Sequence, residues 1–210
     1  MANLGALTEA IEAGDRASAV RITREAVEEG LDPRTVLAAM TTAMEVIGAR
    51  FQCQEIYVPE MLISARAMKE ATAVLEPVLV QAGIRPEHTA VIGTIKGDLH
   101  DIGKNLVGMM WKGASIEVID LGTNVSPERF VEAARAHDAH IVGISALLTT
   151  TMVGMKDVVA AIRAADLAGV KVIVGGAPVT QDYADQIGAD GYASDAASAV
   201  EAARKALRGA

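Results

Sequence analysis

Apolar residues recur at helical spacing through the first 82 positions of the chain, then switch to short continuous runs. Asp15 is placed to cap a helix that stops at Gly30, and Asp32-Pro33 repeats the start signal with proline at the first helical position. In the helix opened there, Val36, Met40, Met44 and Ile47 form one apolar stripe. Pro59 opens another, in which Leu62, Ala65, Met68, Thr72 and Leu75 line one face. With a short first helix over residues 4–13 the helices number four, and the short links between them predict an antiparallel bundle.

Residues 83–88, Gly-Ile-Arg-Pro-Glu-His, read as a polar linker carrying a helix-breaking proline. Beyond it, apolar runs at residues 91–95, 116–121, 141–145 and 170–174, and a weaker one at 191–193, alternate with helical patterns. Such alternation indicates a parallel sheet covered by helices on both faces. The predicted architecture is therefore an N-terminal four-helix bundle over residues 1–82, the linker, and an α/β domain over residues 89–210. Five strands in that length suggest the flavodoxin-like (Rossmann-type) order. The chain then reverses direction between the first and third strands, and ligands bind in the crevice at the carboxyl ends of the strands.

Composition narrows the partners more than the fold. The 210 residues are 51% hydrophobic, enough for a sizeable core, but only 3% aromatic, which disfavours stacking on nucleic-acid bases. A net charge of −8 without a basic cluster disfavours nucleic acid and anionic membrane surfaces alike. One cysteine, Cys53, excludes an internal disulfide and a cysteine-cluster metal site; it is expected to pack within the helical half. No secretory leader and no membrane-length apolar run is visible, so a cytoplasmic location is expected.

Three loops then stand out, each following a strand. The first, Gly97-Asp98-Leu99-His100-Asp101-Ile102-Gly103, places a histidine two residues from a carboxylate. A histidine so flanked can ligate a metal through one nitrogen while the carboxylate holds the other; alternatively, Asp98 caps the next helix and His100 is merely exposed. The second, Ser145 to Thr151, offers hydroxyls to a polar ligand or caps to a helix. The third, Gly175-Gly176-Ala177, either admits a bulky group close to the backbone or is an ordinary turn. The absence of Gly-x-Gly-x-x-Gly and of a Walker-type lysine removes the main support for nicotinamide or nucleoside triphosphate binding. His88, His137 and His140 read as surface or structural histidines.

Taken in order and spacing, Asp98-x-His100-x-x-Gly103, Ser145-x-Leu147 and Gly175-Gly176 resemble the three-part signature of cobalamin-binding domains. The upstream half, with Phe51, Val58-Pro59 and the helix running through Ser64 to Lys69, resembles the helical cap of methyl-carrying corrinoid proteins, the kind found in methionine synthase and anaerobic methyltransferase systems. The resemblance implies a cobalamin cofactor whose cobalt takes His100 as its lower ligand in place of the cofactor's own base. It implies that Asp98 hydrogen-bonds the other imidazole nitrogen and that Thr151 is the third member of this relay, where methionine synthase has a serine. Gly97, Leu99, Asp101, Ile102 and Gly103 would complete the loop around the cofactor. Ser145, Leu147, Thr149, Gly175, Gly176, Ala177 and Ala196 would line the slot for the displaced nucleotide tail. Phe51 and Val58 would shield the upper face, with Tyr57 and Met61 either beside them or simply in the bundle core.

The implied function is a methyl carrier, inactive alone, working between a substrate-specific methyltransferase and a second methyltransferase acting on tetrahydrofolate or coenzyme M. A reductive activase is a further implied partner. A cobalamin-binding sensor and a carbon-skeleton mutase subunit are the alternatives; the missing DNA-binding segment weighs against the first and the attached cap against the second.

Overall fold

The structure, a computed structural model, describes residues 2–84, 86–167 and 169–208. Arg85, inside the predicted linker, lies outside the described residues. The chain divides into two compact units, Met1–Pro86 with Gly113–Ser115, and Glu87–Lys112 with Ile116–Ala210. Among the described residues, no helix is long and apolar enough to cross a membrane.

The first unit contains α1 (Leu4–Glu12), α2 (Arg16–Glu28), α3 (Pro33–Gln52) and α4 (Val58–Gln81). Their starts follow the cap chemistry of the sequence. The Asp15 carboxylate accepts the Ser18 N–H at 3.1 Å, and Asp32, ahead of Pro33, accepts that of Arg34 at 2.9 Å. Val36, Met40, Met44 and Ile47 are all buried, as their spacing predicts. The predicted face of α4 needs correction. Leu62 is 39% exposed, and the buried stripe begins instead at Met61 and continues through Ala65, Met68, Ala71, Leu75 and Leu79. The helix starts one residue before Pro59, and its core face is set by neighbours on α2 and α3 that the local pattern does not contain. Cys53 is exposed rather than packed, because it caps the end of α3 where the chain turns away.

The second unit runs β1 (His88–Thr94), α5 (Ile102–Gly113), β2 (Ile116–Asp120), α6 (Pro127–Ala136), β3 (Ile141–Ser145), α7 (Thr149–Met152), α8 (Met155–Ala164), β4 (Lys171–Gly175), α9 (Gln181–Ile187), β5 (Gly191–Ala193) and α10 (Ala196–Arg208). All strands are parallel in the order β2-β1-β3-β4-β5, the flavodoxin-like arrangement expected from the alternation. His88 belongs to β1, not to the linker, because its backbone pairs with Ile116 before the apolar run begins. It meets His140 edge to face, ring centroids 5.1 Å apart, while the Thr89 N–H donates to His140 Nδ1 at 3.2 Å.

Two mid-strand glycines seat the largest rings of the core. A Cβ at Gly143 would stand 2.7 Å from the Trp111 ring, and one at Gly93 would stand 2.9 Å from the Phe130 ring. Trp111 is buried and its indole N–H donates to the Ala199 carbonyl at 2.9 Å, tying α5 to α10. At the other end of the sheet, Thr94, Ser145, Gly175 and Ala193 lie in one row across four strands. The loops after β1, β3, β4 and β5 therefore leave the sheet along a common carboxyl edge.

Candidate functional site

Asp98 is the centre of this edge. It is 1% exposed, and its two oxygens are divided between two loops. Oδ1 accepts the His100 N–H at 3.0 Å and lies 2.7 Å from His100 Nδ1. Oδ2 accepts the Leu147 N–H at 2.8 Å, the Leu148 N–H at 3.3 Å and the Thr151 hydroxyl at 2.8 Å. Thr151 has one proton for two acceptors, since the Leu148 carbonyl lies 3.0 Å away; the shorter bond to the carboxylate is also the charge-assisted one. Burial pushes the Asp98 carboxyl up, but the N–H groups of Leu147 and His100, the His100 ring and the Thr151 hydroxyl together hold it well below the usual carboxylate range. Asp98 is thus a fixed anion with a stated job, receiving the Nδ1 proton of His100.

That hydrogen bond leaves the lone pair of the imidazole on Nε2. The His100 side chain is 52% exposed, so this nitrogen belongs to a ring that is anchored on one side and open on the other. Around it the chain exposes large apolar side chains. Leu99 is 73% and Ile102 74% exposed, and Leu147, Leu148 and Val153 are also exposed. Leu99, Leu147 and Leu148 belong to the two loops that Asp98 joins, and exposed apolar side chains on such loops suit a large flat ligand. Gly103, in the first turn of α5, adds open space: a Cβ there would meet nothing within 4 Å. Among the described residues no cluster of three or more His, Cys, Asp or Glu could hold a metal ion. One imidazole suits a metal whose other positions are filled by a macrocycle.

The glycine pair has an internal reason as well. A Cβ at Gly176, where φ is +126°, would stand 1.9 Å from the Ala146 carbonyl oxygen, and one at Gly175 would stand 2.8 Å from that of Ala193. The close approach is first between the protein's own loops, and side chains are excluded for that purpose whatever binds beyond. Ala177 is exposed next to the pair, Ser145 and Thr151 are half-buried and Thr149 is exposed. Ala196, at the start of α10, is buried and offers little surface. Phe51 and Val58 lie half-buried in the first unit, in the last turn of α3 and the first of α4, with Tyr57 exposed between them.

Three residues of this edge, Lys104, Thr94 and Asn124, carry no motif signal of their own. Lys104 is 2% exposed, yet its ammonium bonds both Asp120 oxygens, at 2.5 and 2.7 Å, and Asn105 Oδ1 at 2.7 Å. Asp101 accepts from Asn105 Nδ2 at 3.1 Å, so the first turn of α5 is cross-tied. Thr94 and Asn124 hold the backbone of the histidine loop. The signals, such as they are, are a lone lysine in an apolar helix and a hydroxyl in an apolar strand.

The comparisons with known proteins decide the ligand. B12 binding domain families match residues 88–201 and residues 4–76. The chain belongs to the B12-binding family. It is 42% identical to a corrinoid protein of Desulfitobacterium hafniense over 99% of this chain and 98% of that one. It is 39% identical to trimethylamine corrinoid protein 2 of Methanosarcina acetivorans, over 92% of this chain and 91% of that one. Its fold resembles a chain of the methanol:cobalamin methyltransferase complex MtaBC from Methanosarcina barkeri, with a TM-score of 0.86 and 28% identity over 98% of this chain and 79% of that one. Cobalamin is the cofactor of this corrinoid-family chain, and the residues around His100 suit it. One anchored imidazole, a buried anion behind it and exposed apolar side chains on the joined loops answer to a cobalt macrocycle better than to a phosphate or a nicotinamide.

Proposed function

We infer that this corrinoid protein carries a methyl group on cobalt between a substrate-specific methyltransferase and a second methyltransferase acting on tetrahydrofolate or coenzyme M. The observation that carries the reading is the Asp98 network, which binds a carboxylate to His100 and to three donors from the loop after β3. When bound, the corrinoid supplies the nucleophile and the methyl carrier.

The chain's own residues supply what surrounds it. His100 would hold cobalt through Nε2, with Asp98 fixing the ring's orientation and raising the basicity of that nitrogen. Thr151, through its hydroxyl on Asp98, would tie the ligand's support to the opposite loop. Leu99, Ile102, Leu147 and Leu148 would cover the lower face, and Gly97, Asp101, Gly103, Ser145, Thr149, Gly175, Gly176 and Ala177 would border the tail. The helical domain, residues 1–82, would act as the cover that excludes water, presenting Phe51 and Val58 and moving aside at the linker that ends before His88 during each transfer. The relatives' names make methylated amines the first donors to assay, with a reductive activase as a further partner.

The test is anaerobic reconstitution with cobalamin, followed by incubation with methylated amines and the methyltransferase that co-purifies with the protein. A visible corrinoid spectrum and methylation only in the partner's presence are expected. No corrinoid absorption would sink the reading, and tight binding without methyl transfer by any partner would favour a sensor.

A further inference from the structure

The loop that carries His100 is held at both of its working carbonyls by residues outside every motif. Thr94 is the last residue of β1 and is fully buried. Its hydroxyl donates to the His100 carbonyl at 2.9 Å, so a side chain rooted in the sheet grips the backbone of the ligand residue itself. The Asp98 carbonyl is gripped from the other side. There the Asn124 N–H donates to it at 3.0 Å, and Asn124 Oδ1 accepts the Gly97 N–H at 2.8 Å. Asn124 makes both bonds because its backbone is left-handed, φ +57°, a conformation asparagine tolerates better than most side chains.

These contacts form one circuit. The Thr94 N–H donates to the Gly122 carbonyl at 3.0 Å and its carbonyl accepts from Val125 at 2.9 Å, so the segment bearing Asn124 is itself fastened to Thr94. Gly122 in turn donates to Asp120, the partner of buried Lys104. His100 is then fixed at its N–H and ring by Asp98 and at its carbonyl by Thr94.

We propose that Thr94 is a positioning residue for His100, its buried hydroxyl setting where the ring stands to hold cobalt, with Asn124 doing the same for Asp98. The inference rests on the reading of His100 as the lower ligand. A side chain that acts only on stability would change how much protein folds; one that positions the ligand changes how much folded protein ligates through His100. Thr94→Val keeps the shape and the strand preference but loses the hydroxyl, leaving the His100 carbonyl without this donor. Thr94→Ser keeps the hydroxyl. Asn124→Gly keeps the left-handed backbone and its N–H but loses Oδ1, at a surface position where folding is not at risk.

The experiment uses full-length protein labelled with ¹⁵N-histidine, loaded with unlabelled cobalamin and reduced to cobalt(II). Electron paramagnetic resonance then distinguishes a ¹⁵N histidine ligand, a doublet splitting, from the cofactor's own ¹⁴N base, a triplet. Cobalamin affinity is measured alongside, and hydrogen exchange of the His100 and Gly97 amides is followed in the cofactor-free protein. Thr94→Val is expected to bind cobalamin about tenfold more weakly, to lose part of the doublet and to speed exchange at the His100 amide. Thr94→Ser is expected to restore both, and Asn124→Gly to speed exchange at Gly97 with a smaller loss of doublet. A Thr94→Val protein with wild-type affinity and a full doublet overturns the proposal, whatever its melting temperature. A wild-type protein showing only the triplet overturns the His100 reading and the proposal with it.

Discussion

The two units bury polar groups in different ways. Among the described residues, the buried polar residues of the helical unit are Thr23 and Ser64, hydroxyls that donate to the carbonyls of Ala19 and Glu12. In the α/β unit they are Thr94, Asp98 and Lys104, a hydroxyl with a carboxylate and an ammonium, all at one edge of the sheet. A buried hydroxyl with a carbonyl partner is nearly neutral in energy, whereas a buried charge is retained only with several well-placed partners. Among the described residues the first unit thus buries no charge, whereas the second buries a carboxylate and an ammonium at one edge of its sheet. Charge burial, more than pocket shape, marks the edge of the sheet where we propose that the cofactor is held.

The sharpest break in that comparison is at His100. His100→Ala is expected to abolish the histidine splitting of cobalt(II) entirely while leaving the fold intact, because the ring is half-exposed. Asp98→Asn keeps the ring and is expected to weaken ligation less, on the order of 10–100-fold in affinity. Full histidine ligation in His100→Ala would refute the axial assignment.

Next in size is the apolar core of the helical unit. Leu75 is fully buried, and Leu75→Ala is expected to lower stability by about 2–5 kcal/mol with no change in the exchange of the His100 amide. Chemical denaturation and hydrogen exchange together check this; faster exchange at His100 would show that the helical core supports the site.

The smallest effects lie in the Lys104–Asp120 pair, and they are unequal. Asp120 is 44% exposed on its side chain and Lys104 only 2%. Asp120→Asn leaves a buried ammonium with neutral amide oxygens in place of its counter-charge and is expected to cost ~2 kcal/mol. Lys104→Met leaves a carboxylate that rehydrates and keeps the apolar stem, so a loss below about 1 kcal/mol is expected. Equal losses by denaturant titration would mean that burial of the ammonium is not what the pair has to offset.

Much of the fold was legible because each of its rules is local. Asp15 and Asp32-Pro33 announce helices where helices begin, and the apolar runs at 116–121, 141–145 and 191–193 become β2, β3 and β5 with ends shifted by at most one residue. The site was legible in outline, since a histidine and a carboxylate two residues apart lie on one loop. Its supports were not. Thr94, Lys104 and Asn124 have ordinary neighbours in the chain, and only their partners make them unusual. The face of α4 was misread for the same reason: Met61 and Leu62 fit a helical stripe equally well until α2 and α3 choose between them.

The sequence by itself determined the change from helical to strand periodicity and the parallel sheet with its order of loops, and it offered His100 with Asp98 as a candidate metal ligand. Those follow from hydrophobic spacing and backbone preference, which act over a few residues. Only the tertiary structure decided that Asp98 answers to the amides of Leu147 and Leu148 and the hydroxyl of Thr151, about fifty residues away, and that Gly175 and Gly176 are demanded by neighbouring carbonyls. Those pairings exist because parallel register brings Thr94, Ser145, Gly175 and Ala193 level with one another. A hydrogen bond depends on such placement to within tenths of an ångström, a distance that no spacing along the chain specifies.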